Sequence, residues 1–553
     1  MDFDPVLPSA RGTAMRAAGL WPDRLIIDHL DEAAAHDPQR VAIVDHNSMT
    51  GERTELSYGE LAAHSIRIAA GLAALGVERG DVVAVQLPGW WHYAALHCAC
   101  VRIGAAINPL MPIFRERELE FMLGFAESKV MIVPRSFRGC DYPAMLAGLR
   151  DKLPALEHVL VVGGEDPHTA FESVLLEHAH ETETDVEALF AARRPSPDDV
   201  TEIMYTSGTT GRPKGVMHTS NTLLCKAKLA TELFDYHGGD AVFMGSPVAH
   251  QTGFMYGIVF AIANHAKCVL LDQWEPARAA RIIADERCTV TLGATPFLSD
   301  LINVAEHDAE ALADLRLFLC AGAPIPRVMV YDAARLLPNL YVMSAWGMTE
   351  MGISTATYPG DPPEKVFETD GRALPGHAVR IVDEHGKVVP PDTEGRLQAR
   401  CASLFVGYLK RPEAYEVDGD GWFETGDNAR MDADGYIRIT GRSKDIIIRG
   451  GENIPVVEVE ELLYRHPAIV DAAVVAMPDA RLGERACAFV TVHDGDTLDL
   501  AALGAWLVGQ KLTRQYLPER LEIIEAFPRT PSGKIQKFVL REQARQFAAE
   551  NRP

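Results

Sequence analysis

Hydrophobic and polar positions along the chain alternate between two patterns. Short runs rich in β-branched residues occur at 41–44, 82–85 and 130–133, and longer amphipathic stretches occupy 61–75 and 93–103. Short apolar runs of this kind are typical of buried strands, whereas the longer stretches are typical of helices. The alternation predicts an α/β fold.

Local signals support this interpretation and extend it along the chain. Ser57 and Glu60 have the spacing of a capping box, in which each residue satisfies a backbone N–H of the other, so a helix is predicted to begin there. The same alternation resumes further on, with strands predicted at 159–162, 267–271, 290–292 and 317–320 and a helix at 277–285.

The pattern changes after about residue 370, where short strands alternate with Gly and Asp turns, and again after about residue 445. The last part of the chain predicts helices at 456–464 and 500–512 and a strand at 470–476. A charged segment at 442–445 separates these regions. We therefore predict a large N-terminal domain, residues 1–441, of α/β subdomains plus a β-rich module, followed by a small α+β domain at 446–553.

The composition of the chain disfavours several classes of function. The 553 residues carry a net charge of -24, which disfavours general affinity for nucleic acid or anionic membranes. Nine cysteines include no Cys-x-x-Cys pair, as in a reduced protein without a structural zinc site. The most apolar region, 93–107, is interrupted by His97 and Arg102 and is too short to span a bilayer. With no secretory signal visible at the N-terminus, we expect a cytoplasmic protein without an integral membrane segment.

The run at 206–215, TSGTTGRPKG, is the most informative stretch of the chain. It combines three glycines, four hydroxyls and two cations and follows the apolar residues 203–205, which places it in a loop after a strand. Glycines let successive N–H groups converge on an anion, while hydroxyls and Lys214 add donors and charge. The spacing is not that of a Walker A motif, because Pro213 precedes the lysine and Gly215 follows it. The run predicts a phosphate-binding loop of another kind.

Four further motifs follow in order along the chain: WGMTE at 346–350, GWFETGD at 421–427, GRSKD at 441–445 and PSGK at 531–534. Together with the phosphate loop, they resemble the acyl-adenylate-forming superfamily of acyl-CoA synthetases, nonribosomal adenylation domains and luciferases. The resemblance covers nearly the full length. It implies a large AMP-binding domain, a hinge at 442–445 and a small mobile C-terminal domain that acts as a lid.

The resemblance also implies the chemistry and its cofactors, ATP, Mg²⁺ and coenzyme A. In this family a carboxylate attacks the α-phosphorus of ATP and forms an acyl-adenylate, from which a thiol displaces AMP; cations must offset the repulsion between the two anions. Glu350 and Thr206 would hold Mg²⁺, which prefers oxygen ligands, and Thr349 would donate to the α-phosphate. The β- and γ-phosphates would be held by Thr206, Ser207, Gly208, Thr209, Thr210 and Lys214.

The remaining nucleotide contacts follow by the same resemblance. Asp427 would accept hydrogen bonds from the ribose hydroxyls, and Arg442 would provide a cation on the ribose or phosphate side. The adenine ring would lie between two segments, formed by Gly322, Ala323 and Pro324 on one side and by Trp346, Gly347 and Met348 on the other. Trp346 replaces the tyrosine common in the family but still offers a flat stacking face.

The C-terminal motifs imply a division of labour between two poses of the small domain. Lys534 would reach the carboxylate and the α-phosphate during adenylation. Lys444 lies at the hinge position, where backbone rotation would swing the domain into the thioester-forming pose. Gly450 and Gly451 would then border the channel for the thiol, since small residues leave room for the pantetheine arm.

The acid is less well defined than the reaction. His250 corresponds to a residue that borders the acyl pocket, and no Asp lies between Pro247 and Tyr256 to pair with a substrate ammonium. We therefore expect an uncharged, apolar acid. The opening residues 1–7 and 18–21 are similar to those of cyclohexanecarboxylate-CoA ligases and medium-chain acyl-CoA ligases. A ring acid, a medium-chain fatty acid and an aryl acid remain open.

Coenzyme A is the expected thiol, because no carrier domain follows residue 553. Two alternatives stay open: an adenylation domain that loads a separate carrier protein, and a nucleotide-binding scaffold without turnover. No nucleic-acid partner is expected. A homodimer and regulation by acylation of Lys534 are also left open.

Overall fold

A computed structural model describes residues 3–206, 213–442, 447–449, 452–479, 481–530 and 533–550. In chain order the strands are β1 (Val41–His46), β2 (Arg53–Ser57), β3 (Val82–Val85), β4 (Ala106–Pro109), β5 (Val130–Pro134), β6 (Ser136–Phe137), β7 (Cys140–Asp141), β8 (His158–Val162), β9 (Val200–Thr206), β10 (Lys214–Thr219), β11 (Ala241–Met244), β12 (Lys267–Leu271), β13 (Val290–Gly293), β14 (Leu317–Cys320), β15 (Tyr341–Met348), β16 (Gly352–Ala356), β17 (Arg372–Ala373), β18 (His377–Val382), β19 (Gly395–Cys401), β20 (Phe423–Met431), β21 (Ile437–Arg442), β22 (Ile447–Arg449), β23 (Glu452–Ile454), β24 (Ile469–Asp479), β25 (Gly483–Val492) and β26 (Arg520–Ile523). The α-helices are α1 (Ser9–Ala17), α2 (Ile26–His36), α3 (Tyr58–Ala74), α4 (His92–Arg102), α5 (Glu116–Phe125), α6 (Tyr142–Ala147), α7 (Val186–Arg193), α8 (Ser220–Phe234), α9 (Gln251–Gly253), α10 (Phe260–Ala263), α11 (Pro276–Asp285), α12 (Thr295–Ala305), α13 (Arg327–Leu336), α14 (Pro363–Glu368), α15 (Val456–Tyr464), α16 (Leu500–Gly509) and α17 (Lys537–Glu550).

Two large sheets form the body of the protein, as the α/β prediction requires. One has the strand order β17-β16-β15-β14-β13-β11-β12-β1-β2, and the other has the order β10-β9-β4-β3-β5-β8. Their central strands run parallel, whereas β2, β16, β17 and β10 pair antiparallel at the edges. Every residue of β3 is buried, which explains its uninterrupted apolar sequence: parallel strands are covered by helices on both faces.

The helix predicted from the Ser57 capping box is α3. The Ser57 hydroxyl accepts a hydrogen bond from the Glu60 N–H, and the Glu60 carboxylate accepts one from the Ser57 N–H at 2.8 Å. The apolar region 93–107 contains α4, which is buried in the core along its full length. Within the described ranges, no helix is long and apolar enough to cross a bilayer.

Beyond residue 370 the predicted β-rich module is present as the antiparallel sheet β18-β19-β20-β21. Its Asp-Gly turns are held by carboxylates that accept backbone N–H groups. Asp383 accepts those of His385 and Lys387, and Asp432 accepts those of Asp434 and Tyr436, all at 2.9 Å. The turn residues that identified this module in the sequence therefore stabilise its hairpins directly.

The last part of the chain folds on a core of its own around β22 to β26. Helix α15 has the predicted bounds, α16 ends three residues before the predicted limit of 512, and β24 extends beyond the predicted 470–476. An ion pair between Arg438 and Glu461 joins α15 to the preceding sheet. The predicted hinge at 442–445 lies between the end of β21 and the start of β22, but residues 443–446 are outside the described ranges, so it stays a prediction.

A buried ion pair connects the large sheet to the β-rich module. Arg327, only 2% exposed, donates to Asp370 at 2.6 Å and to the carbonyl of Thr369 at 2.9 Å. The second carboxylate oxygen of Asp370 accepts the Ile439 N–H at 2.8 Å. Arg438 also lies 3.6 Å from this second oxygen, but it is more exposed than Arg327 and farther from the carboxylate. Removing Arg327 therefore leaves the buried carboxylate of Asp370 without its closest cation.

We expect Arg327→Met to lower the free energy of unfolding by about 3–5 kcal/mol, the usual result of breaking a buried pair from one side. Urea unfolding followed by tryptophan fluorescence measures the change. Arg335→Met on the same helix is the matched control, because the ion pair between Arg335 and Asp332 is exposed. It should cost no more than about 0.5 kcal/mol. Equal losses in the two variants would contradict a special role for the buried pair.

Candidate functional site

The predicted phosphate loop connects two paired antiparallel strands. Thr206 ends β9, Lys214 begins β10, and these two residues are register partners. The two ends of the loop therefore lie next to each other in the sheet. Residues 207–212 lie outside the described ranges, and with them four of the predicted phosphate contacts: Ser207, Gly208, Thr209 and Thr210.

Glu350 lies next to this hairpin, in the turn between β15 and β16. Its side chain is 6% exposed, and its Oε1 atom accepts a hydrogen bond from the Tyr408 hydroxyl at 2.7 Å. The ammonium group of Lys214 lies 4.5 Å from the centre of the Tyr408 ring. Burial raises the pKa of Glu350, while the charges of Arg442 and Lys214 act in the opposite direction. A cation bound beside this carboxylate would favour its ionised form.

Backbone contacts fix the position of the turn that carries Thr349 and Glu350. The carbonyl of Thr349 is 2.8 Å from Nε2 of His218, and the carbonyl of Glu350 accepts the Phe405 N–H at 2.7 Å. Burial lowers the pKa of His218 to about 4, so the ring is neutral and donates through Nε2. Thr349 and Glu350 thus lie in the turn of a β-hairpin.

Gly347 allows the two strands of this hairpin to approach closely. A Cβ atom at this position would lie 2.2 Å from the carbonyl oxygen of Gly352 and 2.6 Å from the Cα of Ile353. Because those atoms belong to the backbone, they could not move aside easily. Met348 is the register partner of Gly352, and the ladder is irregular between Trp346 and Gly347. The glycine of the WGMTE motif is therefore required by the geometry of the hairpin.

Asp427 is held by two of the predicted nucleotide-binding residues. The indole N–H of Trp346 donates to Oδ2 at 2.8 Å, and Nε of Arg442 donates to Oδ1 at 3.0 Å. Asp427 is 6% exposed and Trp346 is 7% exposed, and the indole packs in the hydrophobic cluster that includes Phe405 and Phe423. In addition to any stacking role, Trp346 thus orients the carboxylate expected to bind ribose.

Lys534 reaches this group from the C-terminal part of the chain. A Cβ atom added to Gly322, which has a φ of +91°, would lie 3.3 Å from Cε and 3.7 Å from Nζ of Lys534. Burial lowers the pKa of Lys534 to about 8, helped by Arg442 and opposed by Asp427 and Glu350. The amine therefore remains protonated at neutral pH, and its charge interacts with the residues predicted to surround the nucleotide.

Gly533, which directly precedes Lys534, packs against the start of α12. A Cβ atom on Gly533 would lie 3.4 Å from Pro296 and 3.5 Å from Phe297 at the start of α12. The turn is closed by the Arg529 guanidinium, which donates to the carbonyl of Gly533 at 2.6 Å, and by the Lys534 N–H, which donates to the Thr530 hydroxyl at 3.0 Å. The lysine is thus presented by a turn with defined contacts.

His250 lies close enough to Lys534 for the charge of the lysine to act on it. Its Nδ1 accepts the N–H of Thr252 at the start of α9, so the neutral ring carries its proton on Nε2. Burial, with a contribution from the charge of Lys534, lowers the pKa of His250 to about 3. Of the adenine-side residues, Ala323 is partly buried, and the Pro324 carbonyl accepts a hydrogen bond from Thr295 at 2.8 Å.

The described site thus brings together Lys214, His250, Gly322, Thr349, Glu350, Asp427, Arg442 and Lys534 from distant parts of the chain. Tyr408 and His218 also contact this group, although the motifs did not indicate them. Lys444, Gly450 and Gly451 lie outside the described ranges, so the predicted hinge and thiol channel are not located.

The chemistry of the donor set fits a hard divalent cation and a polyphosphate. The buried Glu350 carboxylate and the hydroxyl of Thr206 would offer oxygen ligands, while Lys214, Arg442 and Lys534 provide positive charge. Charges fixed in a partly enclosed site stabilise developing negative charge more strongly than mobile surface charges, because they need no reorganisation.

Comparison with known proteins agrees with this geometry. Residues 30–409 match the AMP-binding enzyme family model, and residues 458–534 match the AMP-binding enzyme C-terminal domain. The chain is 37% identical to the medium-chain fatty-acid–CoA ligase of Escherichia coli (strain K12), over 96% of this chain and 92% of that protein. It is 31% identical to the 2,3-dihydroxybenzoate-AMP ligase of Bacillus subtilis (strain 168), over 97% of this chain and 96% of that protein.

The fold is likewise shared with a solved structure. ATP-bound MatB from Rhodopseudomonas palustris is 27% identical, with a TM-score of 0.81 over 95% of this chain and 100% of that chain. The family model spans most of the chain, and the relatives match nearly its full length. Together they establish the family. The chain belongs to the AMP-binding enzyme family and is an AMP-forming acyl-CoA synthetase, an adenylate-forming ligase that uses ATP, Mg²⁺ and coenzyme A.

Proposed function

We propose that the enzyme converts an apolar carboxylic acid into its CoA thioester through an acyl-adenylate, releasing AMP and pyrophosphate. The acid is a medium-chain fatty acid or an alicyclic acid such as cyclohexanecarboxylate. The observation that carries this choice is the segment after His250, Gln251–Val259, which has no charged side chain and in which Phe254 and Met255 are completely buried. The similarity to a medium-chain fatty-acid–CoA ligase supports the same choice.

The site residues have separate tasks in this proposal. Glu350 and Thr206 hold Mg²⁺, which supplies charge neutralisation when bound. Lys214 grips the terminal phosphates. Asp427, fixed by Trp346 and Arg442, orients the ribose. Because these groups are held by contacts among themselves, little of their conformational freedom remains to be lost when the nucleotide binds.

Lys534 brings the last positive charge to the reacting groups. Its amine lies against Gly322 and within the electrostatic influence of Arg442, Asp427 and Glu350, and at neutral pH it is protonated. In this position it offsets the repulsion between the attacking carboxylate and the α-phosphate and stabilises the charge that develops as pyrophosphate leaves. The domain limits that accompany this role are 1–441 for the body, 442–445 for the hinge and 446–553 for the lid.

A cytosolic location completes the proposal. All nine cysteines are free in the structure, and Cys140 is the one that is not buried. Free, mostly buried thiols are typical of a reducing compartment, in which ATP and CoA are also available.

We expect Lys534→Ala to slow acid-dependent ATP–pyrophosphate exchange by about two to three orders of magnitude, since a buried charge that stabilises the transition state is lost. Conversion of a supplied acyl-adenylate to the thioester should be largely unaffected. Lys511→Ala, an exposed position in the C-terminal part, is the control. In the wild type the exchange should also decline as pH rises through about 8, because Lys534 then loses its proton. Equal loss of both half-reactions would contradict the division of labour between the poses.

Acid specificity is tested by AMP release with a panel of acids: cyclohexanecarboxylate, hexanoate, octanoate, decanoate, benzoate and 2,3-dihydroxybenzoate. We expect the highest kcat/KM with an alicyclic or medium-chain acid, because each buried methylene contributes about 0.8 kcal/mol and a desolvated hydroxyl without a partner is costly. Each acid is assayed with free CoA and with a phosphopantetheinylated carrier protein. Preference for 2,3-dihydroxybenzoate, or for the carrier, would overturn this choice of substrate and acceptor.

A further inference from the structure

Two histidines and a glutamate that do not belong to the adenylation site form a cluster. His29 and Glu32 lie one turn apart on α2, and His265 lies in the turn between α10 and β12. One ligand atom from each of the three side chains lies within 4.8 Å of the others. Nothing in the proposed chemistry uses these residues, and their combination of imidazole and carboxylate is common among zinc sites.

The protonation state of both histidines suits a metal. Burial lowers the pKa of His29 to about 4 and also lowers the pKa of His265, so both rings are neutral at pH 7. Nε2 of each ring is buried and has no hydrogen-bond partner among the described residues. An unpartnered buried nitrogen normally costs free energy, and coordination of a metal would recover it.

A neighbouring cation orients one of the three side chains. Arg24 donates to one oxygen of Glu32 at 2.6 Å, as often seen for a ligating carboxylate. Such outer contacts fix the ligands of metal sites.

We propose that His29, Glu32 and His265 bind a divalent transition metal, with Zn²⁺ as the best-matched ion. Three protein ligands and one water would complete a tetrahedral site. Ligand atoms at zinc distances of about 2.0–2.2 Å lie roughly 3.4 Å apart, so closure needs only small rotations of the side chains. The metal would tie α2 to the turn before β12 and stabilise the body of the enzyme.

A second cluster provides an internal comparison. His178, His180 and Glu183 also lie close together, but Nε2 of His180 already contacts the Val174 carbonyl at 2.8 Å. Nε2 of His178 lies 3.1 Å from Glu183, and both of those side chains are at least half exposed. Because Nε2 of each histidine is already engaged and two of the side chains are exposed, this cluster should bind zinc much more weakly.

The test is titration of the untagged full-length chain with Zn²⁺ alone, by calorimetry and by thermal unfolding. We expect one zinc per chain and a melting temperature that rises with zinc concentration, since a ligand bound only to the folded state stabilises it. His29→Gln and His265→Asn should abolish both effects, and Glu32→Gln should weaken binding about tenfold. His265 has a φ of +54°, a conformation that Asn tolerates.

His36→Ala, at an exposed position on α2, and His178→Ala are the controls and should bind zinc like the wild type. Melting temperatures measured without zinc show whether each variant is folded. Absence of stoichiometric binding by the wild type would overturn the proposal, as would unchanged binding in a folded His29→Gln or His265→Asn protein, or loss of binding in His178→Ala.

A separate observation concerns a buried lysine next to the hairpin that carries Glu350. Lys226 on α8 is 2% exposed, and its ammonium group donates to the carbonyl of Ile353 and, at 2.8 Å, to Nε2 of His377. The N–H of the same Ile353 donates to the Tyr256 hydroxyl at 2.6 Å. The peptide groups on both sides of Ile353 are thus held from two different elements.

The groups around Lys226 explain why it can remain buried. His377 is a neutral acceptor, because burial and the charge of Lys226 keep its pKa well below the usual value. The Ser403 hydroxyl lies 3.3 Å from Nε2 of His377 and donates to the Met351 carbonyl at 2.6 Å. The network therefore contacts the hairpin at Met351 as well as at Ile353, within three residues of Glu350.

We infer that Lys226 and Tyr256 are positioning residues that clamp Ile353 and so couple the wall of the acid pocket to Thr349 and Glu350. This inference rests on the proposed function. Tyr256 belongs to the buried π-helical segment Phe254–Val259, while Ile353 follows the turn that carries Thr349 and Glu350. A shift of either element would change the distance between the acid and the nucleotide, to which reactions of bound groups are very sensitive.

We expect Lys226→Met and Tyr256→Phe each to lower kcat for acid-dependent ATP–pyrophosphate exchange about tenfold, with little change in the KM for ATP. Because both act through one residue, the double variant should lose no more than about another twofold. Lys228→Met, exposed on the same helix, is the control and should match the wild type.

Several outcomes separate the clamp from a general effect on folding. Variants that melt earlier but keep wild-type kcat would show a merely structural role and overturn the inference, as would independent losses that multiply in the double variant. Failure of the wild type to exchange pyrophosphate with any acid would instead refute the proposed function, and the two results cannot be confused.

Discussion

The hairpin between β15 and β16 is the constraint on which the rest of the site depends. It is held by His218 at Thr349, by Phe405 and Tyr408 at Glu350, and by Lys226 and Tyr256 at Ile353. These partners come from β10, α8, the segment before α10 and the β-rich module. Because several parts of the body converge on a turn of a few residues, the positions of Thr349 and Glu350 follow from the packing of the whole body.

The same hairpin explains how an acidic protein creates a site for polyanions. The net charge of -24 opposes the approach of ATP over most of the surface. Lys214, Arg442 and Lys534 nevertheless converge near Glu350 and Asp427. Both carboxylates are buried, and low solvent access strengthens their interactions with nearby charges. The raised pKa of Glu350 and the lowered pKa of Lys534 are both consequences of that burial. A bound cation beside Glu350 would oppose the first shift, and a bound phosphate beside Lys534 would oppose the second.

Much of the fold was accessible from the sequence because its signals are local. Strands β3, β12 and β14 have the predicted bounds, and the capping box at Ser57 is confirmed by its two hydrogen bonds. The family membership predicted from five motifs in order is confirmed by the comparisons. The roles given to individual site residues remain predictions.

The features of the site that could not be predicted from the sequence are contacts between residues far apart in the chain. Tyr408 is 58 positions from Glu350, His218 is 131 from Thr349, and Lys226 is 127 from Ile353. None of them stands in a motif whose spacing indicates a partner. The orientation of Trp346 was equally hidden: a flat indole suggests stacking, but the direction of its N–H toward Asp427 is determined by how β15 packs against β20.

Ile353 links Tyr256, on the proposed acid pocket, to the turn that carries Thr349 and Glu350, and this link affects acid specificity. Relatives of this chain act on fatty acids and on aromatic acids, so the wall that contacts the acid must vary while the adenylating groups keep their places. In this chain the proposed wall includes Tyr256, whose hydroxyl accepts the N–H of Ile353 three residues after Glu350. A change in the wall can therefore alter the alignment of the nucleotide as well as the fit of the acid. Lys226 limits that effect, because its hydrogen bond to the Ile353 carbonyl does not depend on which residues form the pocket wall. The residues that contact the acid can therefore vary within one fold while the groups that carry out adenylation keep their positions.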